Sequence, residues 1–225
     1  MPFAIGPQVQ AVLFDAYGTL FDVHSAVARH APTIGPEAAR LSEIWRAKQL
    51  EYSWVLSLAG RYEPFWRLTE RALDYAFARC PSVDRSVGPT LLAAYQALDS
   101  YPEVPAVLDG LRAGGLRTGV LSNGDPAMLQ AAIASAGLAD RLDAVLSVDA
   151  VKVFKTSPHA YALAPTALQA TPGGIVFVSS NRWDIAGAAA FGLTPVWVNR
   201  LGLPDEYPGL EPSAVVTDLS SLVAT

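Results

Sequence analysis

The feature that most limits what this chain can become is a spacing. Four short apolar runs, Thr118 to Leu121, Ala144 to Val148, Ile175 to Val178 and Val196 to Val198, alternate with helix-length segments in the second half of the sequence. A fifth, Ala11 to Phe14, stands alone near the start. Each run is rich in Val, Leu, Ile or Phe and is bounded before it reaches helical length, so each reads as a strand buried on both faces. Strands of this kind joined by helices give an open, mostly parallel, doubly wound α/β sheet. The helix signals agree. Asp125-Pro126 supplies an N-cap and a first-turn proline, Gly137 an end, and Ser157-Pro158 a second start. Pro165 lies inside YALAPTAL and predicts a break after Ala164.

Residues 22–98 separate the lone strand from the others and carry no strand signal. They show helical spacing instead, at Leu41, Ile44 and Trp45 and again at Phe65, Leu68, Ala72, Leu73, Ala76 and Phe77. The chain therefore divides into a doubly wound α/β core, residues 1–21 and 99–225, and an inserted helical domain, residues 22–98. Three of the five tryptophans fall in the insert, available both to pack it and to line a cavity beneath it.

Composition narrows the function. At 225 residues, 51% hydrophobic and 16% charged, the chain can bury roughly 70% of its unfolded surface, which excludes disorder for most of it. The net charge is −5 and no five like charges run together, so neither a nucleic acid nor an anionic membrane is an expected partner. No apolar segment reaches the roughly 18 residues of a transmembrane helix. The single Cys80 cannot form an intrachain disulfide, and MPFAIGPQVQ has no basic, apolar leader pattern, so a cytoplasmic location and a small-molecule partner are expected.

Ligands of open parallel sheets bind beyond the carboxyl ends of strands, which directs attention to the polar residues there. They are Asp15, Ser122-Asn123, Lys155 in VKVFK, and the run from Ser179 to Asp184. A carboxylate at a strand end followed by the Gly18 turn suits a nucleophile, and equally suits a turn-capping Asp. By their types alone, Lys155 fits a solvated loop and Asp184 a helix start. Arg46 fits a surface ion pair with Glu43 at i,i+3, and Ser122 a cap on the Asp125-Pro126 turn. His24, His30 and His159 lack ligand spacing, so no metal site is expected.

Taken in order, these segments resemble a known family. Phe14-Asp15-Ala16-Tyr17-Gly18-Thr19-Leu20-Phe21-Asp22-Val23 is similar to the first motif of the haloacid dehalogenase superfamily, in the form carried by the L-2-haloacid dehalogenases. Leu121-Ser122-Asn123-Gly124 resembles the second motif, Lys155 the third, and Ser179-Ser180-Asn181-Arg182-Trp183-Asp184 the fourth. Ile44 to Tyr52 resembles the family's cap helix.

The resemblance implies a helical cap over a Rossmann-like core, with the site between them. It implies that Asp15 attacks Cα of a short L-2-haloalkanoate with inversion, and that water hydrolyses the resulting ester to a D-2-hydroxy acid. Lys155 then holds Asp15 ionised and oriented, Arg46 and Asn123 receive the halide, and Ser122 with amides near Tyr17 holds the substrate carboxylate. Asp184, supported by Ser179, Asn181 and Tyr161, positions or deprotonates the water. Thr19 steadies the Asp15 loop, and Tyr17, Leu50, Phe65 and Trp183 wall an apolar pocket.

The alternatives are a Mg²⁺-dependent phosphatase of the same superfamily and a non-catalytic core-and-cap binding module. Phosphatases carry an Asp two residues after the nucleophile to protonate a leaving alkoxide; Tyr17 stands there, and a departing halide needs no proton. No cofactor and no metal are therefore expected. The family resemblance also implies a homodimer. Where the family usually has Pro after the lysine this chain has Thr156, with proline only at Pro158, which predicts a looser Lys155 loop; Pro165 is expected to shift Tyr161.

Overall fold

The structure is a computed structural model that describes residues 3–224; residues 1, 2 and 225 of the predicted core lie outside the described residues. After β1 (Phe3–Ile5), the chain enters β2 (Ala11–Phe14), every residue of which is buried. It then passes through helices alone: α1 (Ser25–Ala28), α2 (Ala31–Ile34), α3 (Ala38–Leu58), α4 (Phe65–Arg79) and α5 (Gly88–Gln96). α6 (Val104–Ala113) leads to β3 (Arg117–Ser122), α7 (Pro126–Ser135) to β4 (Ala144–Ser147), and α8 (Pro158–Tyr161) and α9 (Leu163–Leu168) to β5 (Ile175–Ser179). α10 (Arg182–Phe191), β6 (Thr194–Val198), β7 (Ala214–Val216) and β8 (Leu222–Ala224) follow.

Six strands form one sheet in the order β4-β3-β2-β5-β6-β7, with every pairing parallel. The lone first strand is therefore central. The chain winds outward from β2 through β3 to β4, then returns to β5 on the other side and winds out again, so the sheet reverses direction around β2. A crevice opens at such a reversal because the connections on its two sides leave in opposite directions. Asp15, Ser122 and Ser179 stand at the carboxyl ends of the three strands that frame it.

The helical segment leaves and rejoins the sheet at one place. Phe21 bridges Ser100, and the Asp22 N–H donates to the Asp99 carbonyl at 2.9 Å. Within it, α3 and α4 pack together through Trp45, whose Nε1–H donates to the Thr69 carbonyl at 2.8 Å.

Three local expectations need correction. The run at Ala144 is not buried on both faces, because β4 is the sheet's edge and Val145 is 46% exposed. The break near Pro165 falls between Tyr161 and Leu163, upstream of Ala164. Proline lacks the N–H that would reach the carbonyl four residues back, that of Tyr161, and its ring crowds the same carbonyl, so the ladder stops there. Asp125 does begin α7, but its side chain does not cap it. Its oxygens accept instead from the N–H groups of Phe65 and Trp66, at 2.8 and 2.9 Å.

Candidate active site

Asp15 follows β2 directly and stays in sheet register, its N–H donating to the Val178 carbonyl at 2.9 Å. The chain then folds back on itself. The Ala16 carbonyl accepts from Thr19, Leu20 and Phe21, and Gly18, at φ +94°, donates to the Phe21 carbonyl at 2.7 Å. A residue with a Cβ is strained at that φ, so glycine permits the turn that brings Thr19 back under Asp15.

The Asp15 carboxylate is 5% exposed and held by four side chains. Oδ1 accepts from Lys155 Nζ at 3.0 Å. Oδ2 accepts from Asn181 Nδ2 at 2.7 Å and from the hydroxyls of Thr19 and Ser179, each at 3.3 Å. Both hydroxyl oxygens also accept a backbone N–H, Thr19 from Ser180 at 2.8 Å and Ser179 from Asn181 at 3.0 Å. Those lone pairs being occupied, each hydroxyl hydrogen is free to point at Asp15.

Lys155 is not a solvated loop lysine. Its ammonium is wholly buried and sits between two carboxylates, also donating to Asp184 Oδ2 at 2.8 Å. Burial alone would lower its pKa, but the charges of Asp15 and Asp184 more than offset that and hold it above the ordinary lysine value. Asp184, also fully buried, behaves in the opposite sense. Desolvation pushes its carboxyl up to about 6 against the pull of Lys155, and the nearby Asp15 charge adds to the rise. The Tyr161 hydroxyl donates to Asp184 Oδ1 at 2.6 Å, and burial followed by that carboxylate keeps the phenol well above its usual range. Pro165 has thus not drawn Tyr161 away.

The loop bearing Lys155 is tied by hydrogen bonds rather than by the proline it lacks. The Lys155 N–H donates to Asn123 Oδ1 at 2.9 Å, the Phe154 N–H to Ser57 Oγ at 3.0 Å, and the Ser157 N–H to the Phe154 carbonyl at 3.1 Å. Ser122, fully buried, accepts the Gly124 N–H at 3.0 Å instead of capping α7, which leaves its own hydrogen available as a donor. A Cβ on Gly124 would lie 2.7 Å from the Tyr17 ring, so only glycine lets this loop rest against Tyr17.

From above, α3 contributes Arg46, whose Nη2 donates to the Tyr17 carbonyl at 3.2 Å. Arg46 makes no ion pair with Glu43 among the described residues; it turns inward over the Asp15 loop. The Tyr17 ring stacks on Tyr95 with centroids 5.7 Å apart, and its phenol is pushed well above the usual range, chiefly by burial. Phe65 packs edge-on against Phe154, beside Lys155, and Trp183 edge-on against Trp54. Leu50, partly buried, lies one helical turn beyond Arg46. The ring contacts thus set Phe65 against the residue before Lys155 and Trp183 against α3.

Among the described residues, no group of three or more His, Cys, Asp or Glu side chains is arranged to hold a metal ion. His24 bonds Ser42 at 2.7 Å. The cation between the two acidic side chains is the lysine ammonium itself.

Residue types did not point to two further positions. Gly187 in α10 lies under Tyr161: a Cβ there would come within 2.9 Å of both Tyr161 Cζ and Thr156 Cβ, and closer still to the phenol oxygen. Asp125 is the other, since its partners on α4 are remote in sequence. Neither GAAA nor GDP carries a local signal for these contacts.

Comparison with known proteins gives a consistent outcome. A family model described as haloacid dehalogenase-like hydrolase matches residues 9–192. The chain is 44% identical over 215 residues to (S)-2-haloacid dehalogenase 1 of Pseudomonas sp. (strain CBS-3), covering 95% of each chain. A dehalogenase solved with an intermediate complex superposes with a TM-score of 0.92 at 41% identity, covering 95% of each chain. The L-2-haloacid dehalogenase of Xanthobacter autotrophicus, solved with chloropropionic acid covalently bound, superposes with a TM-score of 0.86 at 39% identity, over 94% of this chain and 95% of that one.

Proposed function

Because the chain belongs to the haloacid dehalogenase-like hydrolases, we propose that it is an (S)-2-haloacid dehalogenase, converting short L-2-haloalkanoic acids to D-2-hydroxy acids. The observation that carries this reading is the unequal solvation of Asp15. Among the described residues Oδ2 accepts three hydrogen bonds, whereas Oδ1 accepts only that of Lys155. Oδ1 thus keeps the lone pair needed to attack.

In the first step Asp15 Oδ1 bonds to the substrate Cα from the side opposite the halogen. The carbon–halogen bond breaks, its electron pair leaves with the halide, and the configuration inverts. Arg46 and the amide of Asn123 receive the halide; Ser122 and amides near Tyr17 hold the substrate carboxylate. Tyr17, Leu50, Phe65 and Trp183 surround the alkyl group and exclude water, which strengthens these charge interactions. Proximity does much of the work, since a held carboxylate replaces unpositioned water as the nucleophile.

The resulting ester leaves Oδ2 as its carbonyl oxygen. Water attacks Asp15 Cγ, losing a proton to Asp184, and the charge that develops on Oδ2 meets the donors already pointed at it from Asn181, Ser179 and Thr19. The bond from Cγ to Oδ1 then breaks, the product departs with that oxygen as its hydroxyl, taking a proton from Asp184, and the second proton of the water passes from the Asp15 carboxyl to solvent, restoring the carboxylate. Tyr161 and Lys155 orient Asp184, and its burial holds the carboxyl above the usual carboxylate range, so that it is ionised at neutral pH yet still able to hold a proton.

Residues 22–98 act as the cap and residues 1–21 with 99–225 as the core. The reaction uses no metal or cofactor. The free Cys80 supports a cytoplasmic location, and Trp54, Val55 and Leu58, exposed at the end of α3, support a homodimer. The test is a single turnover in ¹⁸O water with chelator present. L-2-chloropropionate should release chloride and give unlabelled product, while the D isomer is left intact. Heavy oxygen in the first product, equal use of both isomers, or halide release only with Mg²⁺ would refute the reading.

A further inference from the structure

Asp125 is a core residue whose charge is spent on the helical insert. Its two oxygens accept from the first two amides of α4, Phe65 at 2.8 Å and Trp66 at 2.9 Å, and α4 has no side-chain cap of its own. A helix start carries unpaired N–H groups and a partial positive charge, and a carboxylate bridging two of them satisfies both. The cap therefore ties the insert to the second strand-end loop.

What α4 holds gives the contact its consequence. The Thr69 carbonyl accepts from Trp45 Nε1 at 2.8 Å, and the Thr69 hydroxyl oxygen accepts from Gln49 Nε2 at 3.0 Å. Trp45 and Gln49 flank Arg46 on α3, so α4 sets the height of the helix that carries the guanidinium. On the core side, Asp125 stands two residues beyond Asn123, which fixes the Lys155 backbone. We propose that Asp125 is a positioning residue for the halide-releasing step, clamping α4 so that α3 suspends Arg46, and α4 itself suspends Phe65, at working distance above Asp15.

The clamp lies far along the chain from the place where the insert joins the sheet, at the Phe21–Ser100 bridge. Tyr62 donates to Asp149 at 2.8 Å and Ser57 accepts from Phe154 at 3.0 Å in the same region, but among the described residues only the Asp125 side chain ties the backbone of α4 to the core. The hydrolytic group of Asp184, Tyr161 and Lys155 lies wholly on core segments, and among the described residues none of its hydrogen bonds goes to α4. The two chemical steps should accordingly respond differently. This inference rests on the haloacid reading and adds to it a residue outside the reacting cluster.

Wild type, Asp125→Ala and Asp125→Asn would be compared by rapid-quench kinetics on L-2-chloropropionate and by hydrogen exchange without substrate. Asp125→Ala should slow halide release about tenfold at subsaturating substrate, the size of one lost helix cap, and leave ester hydrolysis unchanged. Amide exchange at residues 65 and 66 should accelerate about tenfold while that of the central strands stays as in wild type. Asp125→Asn keeps one acceptor and should fall between the two, and it serves if the alanine variant does not fold. Equal slowing of both steps, no slowing of either, or unaltered exchange would overturn the proposal. Absence of halide release by wild type would overturn the haloacid reading instead, while the exchange measurement would still judge the clamp.

Discussion

Replacing Asp184 by Asn should separate the two halves of the reaction. The substitution keeps shape and removes charge. Asn can turn its oxygen to Lys155 and its amide to the Tyr161 oxygen, because that phenol also lies 3.2 Å from the Asp184 carbonyl and can donate there. Lys155 keeps Asp15 as a partner at 3.0 Å, so the loss of stability should not exceed about 3 kcal/mol, the lower end for breaking a buried pair. Chain and Asp15 carboxylate survive; the proposed proton acceptor does not. Loss of a positioned base costs roughly 10² to 10⁴ in rate, and the cost should fall on hydrolysis alone. In a rapid-quench assay the variant should release one chloride per site and then stall, with the ester recovered on the peptide containing Asp15. Wild-type hydrolysis should fall about tenfold per pH unit once Asp184 takes up its proton and stay level above; because esterified Asp15 no longer carries the charge that helps raise Asp184 to about 6, this limb should lie on the acid side of that value, and the variant should lack it. Steady turnover by the variant at about a tenth of the wild-type rate or more, with no ester, would show that Asp184 is not the base.

Gly187→Ala should push Tyr161 off Asp184, slowing ester decay about tenfold and costing about 1–3 kcal/mol in a urea titration, the usual range for overpacking. Lys155→Met should leave two buried carboxylates without their cation and lower stability by about 3–5 kcal/mol, with partial recovery on acidification as Asp184, already raised by burial, takes up its proton; unfolding curves across pH would check both.

Much of this arrangement could be read from the chain because its signals were local. A strand buried on both faces announces itself by composition, so the central strands were visible as apolar runs, and their polar end residues marked the site. The three-residue strands β1, β7 and β8 left no such mark; β1 pairs with β8, a partner at the far end of the chain. Asp125 shows the limit most clearly. Its neighbours describe an N-cap, and it is one, but for a helix 60 residues upstream. Gly187 sits in a run of small residues where one more methyl looks harmless, and only the packing of α8 against α10 reveals the phenol beneath it. Arg46 and Lys155 were ambiguous by type because a long cation reads alike on a surface or in a buried pair; the family motifs, not their spacing, separated the two readings.

The position of β2 in the sheet also bears on how the molecule is made. Its Ala11 pairs with Arg117 on one side and Ile175 on the other, so the first of these strands to leave the ribosome has no partner until β3 has been made. Loop closure over such distances is slow, whereas the neighbouring helices α3 and α4 can meet as soon as both are synthesised. A sticky AVLF segment must therefore wait through translation of the whole helical stretch, and nascent chains halted before residue 117 should be the ones that aggregate or engage chaperones.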